Sequence, residues 1–208
     1  MKYRKRHTFY EQRVILIEHK KEGDERKGRM GVMDGIKKTE MRDLLGKGWL
    51  THDGLWFLHT CREFGIEKAN ELNKAAIKSM APIEMDRMRR LLGIKREKFE
   101  SFDELVQFML GGLEVTLPDS VFKKFRFTPS AENLIRWKWE NMQCFAYKGM
   151  KQAGVIDGYS CGVMYRIECW LEFLGVRYSI QPAIKGCLMH EKGSCEGEIQ
   201  VFLGAARK

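Results

Sequence analysis

The chain has no run of 18 apolar residues, so nothing in it reads as a transmembrane helix. Its charged start is not followed by an apolar stretch of the kind a secretory signal needs, so a soluble, cytoplasmic protein is expected. No Cys-x-x-Cys occurs. The six cysteines, Cys61, Cys144, Cys161, Cys169, Cys187 and Cys195, are expected as thiols, and the Cys-x7-Cys spacings at 161/169 and 187/195 fit no common zinc template. There is no internal repeat, no low-complexity segment, and no motif that fixes a cofactor, a substrate or a reaction.

What is present is enough to fold. At 208 residues with 44% hydrophobic content, the chain can bury a sizeable core and is not a disordered protein. The net charge of +9 invites a nucleic-acid reading, but its distribution argues against one. Residues 1–38 carry 12 Lys/Arg and 6 Asp/Glu, and so hold two thirds of the excess. No recognition motif accompanies them, so they read as a solvated basic extension and nucleic acid is not expected as a partner.

The extension contains Arg13-Val-Ile-Leu-Ile17, readable as a strand or a short helix, then a charged, glycine-containing loop from Lys20 to Gly31. Residues 39–208 read as one α+β domain. A helix from Thr39 to Phe64 stops at Gly65, with Gly46 and Gly48 as interruptions. A second runs from Glu67 to Leu92, with an inward stripe of Leu72, Ala76, Met80, Ile83 and Arg87 and a kink at Pro82. Ser101-Phe-Asp-Glu104 has the capping-box form for a third helix, ending near Gly111-Gly112. The period then changes. Ser120–Phe127 and Asn133–Glu140 alternate around a Thr128-Pro-Ser-Ala turn and predict a β-hairpin, with Trp137 and Trp139 on one face and Arg136 and Lys138 on the other. Helices at 144–153 and 160–174 follow, the second facing Met164, Ile167, Trp170 (or Leu171) and Leu174 inward. Strands at 177–184, near an edge, and 198–203 close the chain. The sum is a helical first half followed by ββααββ, with four antiparallel strands covered by helices.

The segment Trp49-Leu-Thr-His-Asp-Gly-Leu-Trp-Phe57 carries the candidate site. Trp49, His52, Asp53 and Trp56 stand at i, i+3, i+4 and i+7, which predicts one buried aromatic stripe bearing an imidazole and a carboxylate. Burying such groups unpaired costs roughly 2–7 kcal/mol, so a partner is required. Glu71 and Asn73 would approach from the next helix. Indole walls with a few polar groups suit a small organic ligand. His52 is the first candidate ligand for a possible divalent metal, although the cofactor is otherwise unknown. His52 and Asp53 are candidate acid–base groups. Cys187, followed by His190 and Lys192, is a candidate nucleophile.

The same segment, with Glu67-Lys-Ala-Asn-Glu-Leu-Asn-Lys74, Arg87-Met-Arg-Arg-Leu-Leu-Gly-Ile94 and the layout Cys144, Cys161, Cys187-x7-Cys195, resembles an uncharacterised prokaryotic family with a THDGLWF-type segment. The Cys187…Gly-x-Cys195 stretch entering the last strand is more distantly similar to the L-2-amino-thiazoline-4-carboxylic acid hydrolase-like proteins. It is also similar to small-molecule-binding domains related to vinyl-reductase-type proteins. The first resemblance implies hydrolytic ring opening of a cyclic amidine or amide. The second implies a buried ligand cavity and a possible homodimer. The expectation is a small-molecule-binding protein of unassigned activity, with the hydrolase as alternative.

Overall fold

The computed structural model describes residues 32–94 and 99–203, so the readings of Arg13–Ile17 and of the Lys20–Gly31 loop lie outside it. The chain divides at Ile36/Lys37. Before the division, a short 3-10 turn covers Val32–Gly35. After it, the fold is α+β: a helical first half, then a four-stranded antiparallel sheet with helices.

Two long helices come first. α1 covers Lys38–Phe64 and α2 covers Ile66–Leu91, joined at Gly65, whose φ of 84° suits a residue without Cβ. Gly46 and Gly48 do not interrupt α1, because each intrahelical hydrogen bond is made whatever the side chain and the neighbouring Leu45 and Lys47 are good helix formers. α2 likewise continues past Pro82. Its inward stripe is displaced from the expected one. Leu72, Ala76, Ile83 and Arg87 are exposed, and Ala69, Ala81, Met85 and Met88 are buried.

α3 covers Phe102–Thr116. Ser101 caps it by accepting the Glu104 amide at 3.2 Å, and Glu104 accepts the Glu100 amide at 3.0 Å, so the capping box is shifted by one residue. Gly111 and Gly112 lie within the helix, not at its end; their bare backbone lies against Leu92 and Met88. α4 is a single turn, Asp119–Phe122, where a strand was expected.

The hairpin begins later than its alternation suggested. β1 covers Phe125–Ala131 and β2 covers Leu134–Trp139, paired Phe125 to Trp139 and Phe127 to Trp137. The reversal falls at Asn133, with φ 57°, so Thr128-Pro-Ser is strand and not turn. α5 (Phe145–Gln152), a 3-10 turn (Ile156–Gly158), α6 (Gly162–Phe173), β3 (Arg177–Gln181), α7 (Leu188–Lys192) and β4 (Glu196–Phe202) complete the fold. α7, absent from the expected ββααββ order, intervenes between the last two strands.

The strand order is β1-β2-β4-β3, so β3 lies at an edge as expected and β4 is interior. The alternation in β2 sorts its residues to two faces. Ile135, Trp137 and Trp139 are buried, and Ile199 and Val201 of β4 are buried with them. On the opposite face Arg136 and Lys138 pair with Glu198 and Glu196 at 2.8 and 2.6 Å. Gly197 lies opposite Trp137, where a Cβ would stand 2.8 Å from the indole and 2.3 Å from a backbone oxygen. In α6 the expected inward residues Met164, Ile167, Trp170 and Leu174 are all buried. No helix among the described residues is long and apolar enough to cross a membrane.

Candidate functional site

A cavity of about 190 Å³ lies between α1, α2, the end of α3, the first two strands and α6. Its walls are mostly apolar: Ile77, Met80, Leu113, Phe125, Val163 and Trp170 are among them. Polar groups enter at few points. Asp53 comes from α1, Asn73 from α2, and Tyr159 and Arg166 from α6 and the loop before it. Trp139 of β2 forms part of the wall.

The sequence-derived candidates divide. Trp49, Asp53 and Asn73 line the cavity; His52, Trp56 and Glu71 do not. The expected buried stripe on α1 is corrected by exposure: Trp49 is 51% and Trp56 66% accessible, and His52 is exposed as well. The reason is that α1 is apolar on two sides. Phe57 is buried on its inner side, while Leu44, Leu45, Trp49, Leu55 and Trp56 remain on the surface. Glu71 is also exposed, paired with Lys68 at 2.6 Å.

Asp53 keeps more than a third of its surface in solvent, yet its carboxyl pKa lies above the ordinary value. Partial burial is the main cause; the charges of Arg166 and His52 oppose it. Arg166 is itself held by Glu84 of α2, at 2.9 Å through Nε, and the Trp170 indole donates to the same carboxylate oxygen at 3.0 Å. Tyr159 is buried, accepts the Gly162 amide at 3.0 Å and packs edge-on against Phe57, with centroids 5.6 Å apart. Burial raises its phenol well above the usual pKa, so its proton is retained as a donor. Trp139 is 2% exposed, and its indole N–H is buried without a hydrogen-bond partner. Buried N–H groups are nearly always paired, and each orphan needs a reason.

His52 has no companion ligands: among the described residues no group of three His, Cys, Asp or Glu side chains is arranged to hold a metal ion. Cys187 is buried, and burial raises its thiol pKa. The neighbouring His190 does not activate it, because its imidazole contacts Asp157 at 2.8 Å. A raised thiol has little thiolate near neutrality, so the geometry opposes a nucleophilic role.

Sequence reasoning missed Asn70, Tyr159 and Arg166 as organising residues. Asn70 donates to the Gly158 carbonyl at 2.8 Å and accepts the Ser160 amide at 3.0 Å, which fastens the loop before α6 to α2. The partners of Asn70 and Arg166 lie 82 to 90 residues away, a separation that no local pattern reports.

Neither a curated protein nor a solved structure matches the chain. Residues 36–117 match a family of unknown function (DUF6125), which supports an uncharacterised domain across α1, α2 and α3.

Proposed function

We propose that this protein binds a small organic molecule in the cavity walled by Trp49, Asp53, Asn73, Tyr159 and Trp139. The observation that carries the reading is an apolar-walled cavity of about 190 Å³ into which Asp53, Asn73, Tyr159 and Arg166 bring the few polar groups. An acceptor on a ligand that reached the unpaired Trp139 N–H would recover about 1 kcal/mol or more. The size suits one substituted ring, since a cavity of ~150 Å³ accommodates benzene. The polarity is two-ended: Tyr159 offers a donor in the interior, and Asp53 offers an acceptor nearer solvent. The ligand is therefore a single-ring compound with a carbonyl, phenolic or heterocyclic acceptor at its inner end and a donor or cation at its outer end. The hydrolase alternative would need His52 or Cys187 at the reacting centre, and neither lines this cavity.

Native mass spectrometry of the purified full chain, followed by thermal-shift titration with monocyclic compounds carrying such acceptors, tests the reading. A bound compound whose stabilising effect is reduced in Trp139→Phe is expected. Equal stabilisation of parent and variant by every binder would overturn it.

The reading extends to a homodimer. Leu44, Leu45, Trp49, Leu55 and Trp56 fall on one outward arc of α1 that carries no Lys, Arg, Asp or Glu between positions 44 and 59. Exposed apolar patches of this kind mark interaction surfaces. In an antiparallel pairing with a two-fold axis at His52, Gly48 of one copy faces Trp56 of the other, a small residue against a large one. Sedimentation of the parent and of Trp56→Glu checks this: a dimer converted to a monomer is expected, and a parent that sediments as a monomer at high concentration overturns it.

A further inference from the structure

Aromatic side chains make up much of the ligand cavity's wall: Trp49, Phe125, Trp139, Phe145, Tyr159 and Trp170. Among the described residues that line it, only Asp53 and Arg166 are charged. Resting on the reading of this cavity as a ligand site, we infer that its ligand is an organic cation, a single-ring compound whose protonated amine sits between the Asp53 carboxylate and the Trp49 indole.

The two charged residues are not equivalent. Arg166 donates through Nε and Nη2 to Glu84 of α2, which also accepts the Trp170 indole N–H. The guanidinium charge is thus cancelled within the wall. Asp53 has no such partner, and among the described residues it makes neither a hydrogen bond nor an ion pair. Arg166 from α6 and His52 beside it on α1 act on it only through their charge, and they do not outweigh burial, which holds the carboxyl above its ordinary pKa. Asp53, Glu84 and Arg166 together leave one negative charge against apolar walls. A neutral donor would bond to that carboxylate without cancelling its charge, whereas an ammonium group does both. A bare metal ion would need further ligands, and among the described residues no group of three His, Cys, Asp or Glu is arranged to hold one.

The rings complement the carboxylate. An aromatic face carries the negative side of the ring quadrupole and attracts ammonium groups, most strongly at tryptophan. Trp49 and Asp53 stand at i and i+4 of α1, so they are neighbours on one face of the helix, and both line the cavity while remaining partly in solvent. A ring face and a carboxylate therefore meet one amine at the same point. The other end of the ligand is set at the buried start of α6. A Cβ on Gly162 would stand 2.9 Å from Asn73 Nδ2 and 3.5 Å from the Tyr159 hydroxyl, so these two groups lie close together, and Tyr159 keeps its proton. An oxygen on the ring accepts from them. The ligand class is an arylalkylamine with an oxygen substituent far from its amine.

Tyramine, 4-ethylphenol and 4-hydroxyphenylacetate share a hydroxylated ring and carry a cation, no charge and an anion. Calorimetric titration of each into the full chain tests the inference. Tyramine is expected to bind at least about tenfold more tightly than 4-ethylphenol, and the anion more weakly than either. Asp53→Asn should bring tyramine and 4-ethylphenol to within about twofold of each other. Trp49→Leu should weaken tyramine about two- to fivefold more than 4-ethylphenol. Glu71→Gln, which removes an exposed carboxylate outside the cavity, should leave the preference unchanged. Acidification should weaken tyramine and not 4-ethylphenol, because protonation of Asp53 removes the charge that the amine meets.

Equal affinity of the parent for tyramine and 4-ethylphenol overturns the inference while leaving the cavity a ligand site, and this comparison needs no variant to fold. A preference for tyramine that persists in Asp53→Asn overturns it as well. A parent that takes up none of the three also overturns it, and the wider set of monocyclic compounds then decides whether the cavity is a ligand site at all.

Discussion

Arg166 of α6 donates to Glu84 of α2 through Nε at 2.9 Å, and it does so beside the cavity that it lines. The pair is mostly buried, with side-chain accessibilities of 22% and 11%. Glu84 also accepts from the Trp170 indole, so one carboxylate serves two buried donors. This contact ties two of the helices that frame the cavity.

Glu84→Ala should therefore be costly. It strands a guanidinium and an indole N–H away from water, and removing one partner of a buried pair costs about 3–5 kcal/mol. Partial exposure of Arg166 places the expected loss near the lower figure. Denaturant unfolding measures it. Arg166→Met in the Glu84→Ala background should recover part of the loss, because the stranded charge is gone. If the double variant is less stable than Glu84→Ala alone, the stranded charge is not what costs.

Trp139→Phe should separate stability from binding. The change removes the unpaired donor but also the second ring of the indole from a buried site, so a loss of about 1–3 kcal/mol is expected. Truncation to alanine, by contrast, should cost about 3–5 kcal/mol. Ligand affinity should fall by about tenfold, the equivalent of one hydrogen bond. Calorimetric titration of the ligand into both proteins, together with their melting curves, supplies the comparison.

These two residues show what a sequence can and cannot carry. Trp139 was legible as core because β2 alternates aromatic and basic residues at period two, and its Arg and Lys find acids across the strand. Its unpaired N–H was not legible, because a hydrogen bond to an indole depends on whichever chain segment happens to arrive there. The existence of the longer helices was legible from capping residues and glycine stops, whereas the short α4 and α7 were not. Helix orientation was not: α1 is apolar on both sides, so the density of Trp and Leu around His52 gave no direction to the interior. In α2 the long apolar residues Leu72 and Ile83 face out, while the small Ala69 and Ala81 face in, allowing close approach of neighbours.

Asp53 predicts a dependence on pH. Its folded-state pKa is raised, so between its unfolded value and that higher value the folded protein binds more protons than the unfolded chain. Stability contributed by Asp53 is thus highest in acid and declines as pH rises through this window. Asp53→Asn should remove the penalty and raise the melting temperature at pH 7, by an amount worth about 0.5 kcal/mol or less given the solvent screening at this position. The gain should vanish when the comparison is made in acid below the unfolded pKa. A larger gain in acid than at neutrality would show that burial of the carboxyl is not the controlling effect. Because Asp53 is the outer acceptor of the proposed site, the same change should weaken cationic ligands more than neutral ones.

Two glycines in neighbouring helices should respond in opposite senses to the same substitution. A Cβ at Gly149 of α5 would meet nothing within 4 Å, so Gly149→Ala should stabilise the protein by about 0.5–1 kcal/mol through helix propensity alone. A Cβ at Gly162, the first residue of α6, would stand 2.9 Å from Asn73 Nδ2 and 3.0 Å from Ile77 Cδ1. Both are cavity-lining residues on α2, and α2 and α6 are already tied by Glu84 and Arg166. The new methyl must push those side chains into the cavity or force the helices apart, at a cost of about 1–3 kcal/mol. In the first case ligand affinity falls while the fold survives; in the second, both fall together. Parallel thermal melts and ligand titrations distinguish these outcomes, and an unchanged affinity in Gly162→Ala would place the ligand away from the α2–α6 wall.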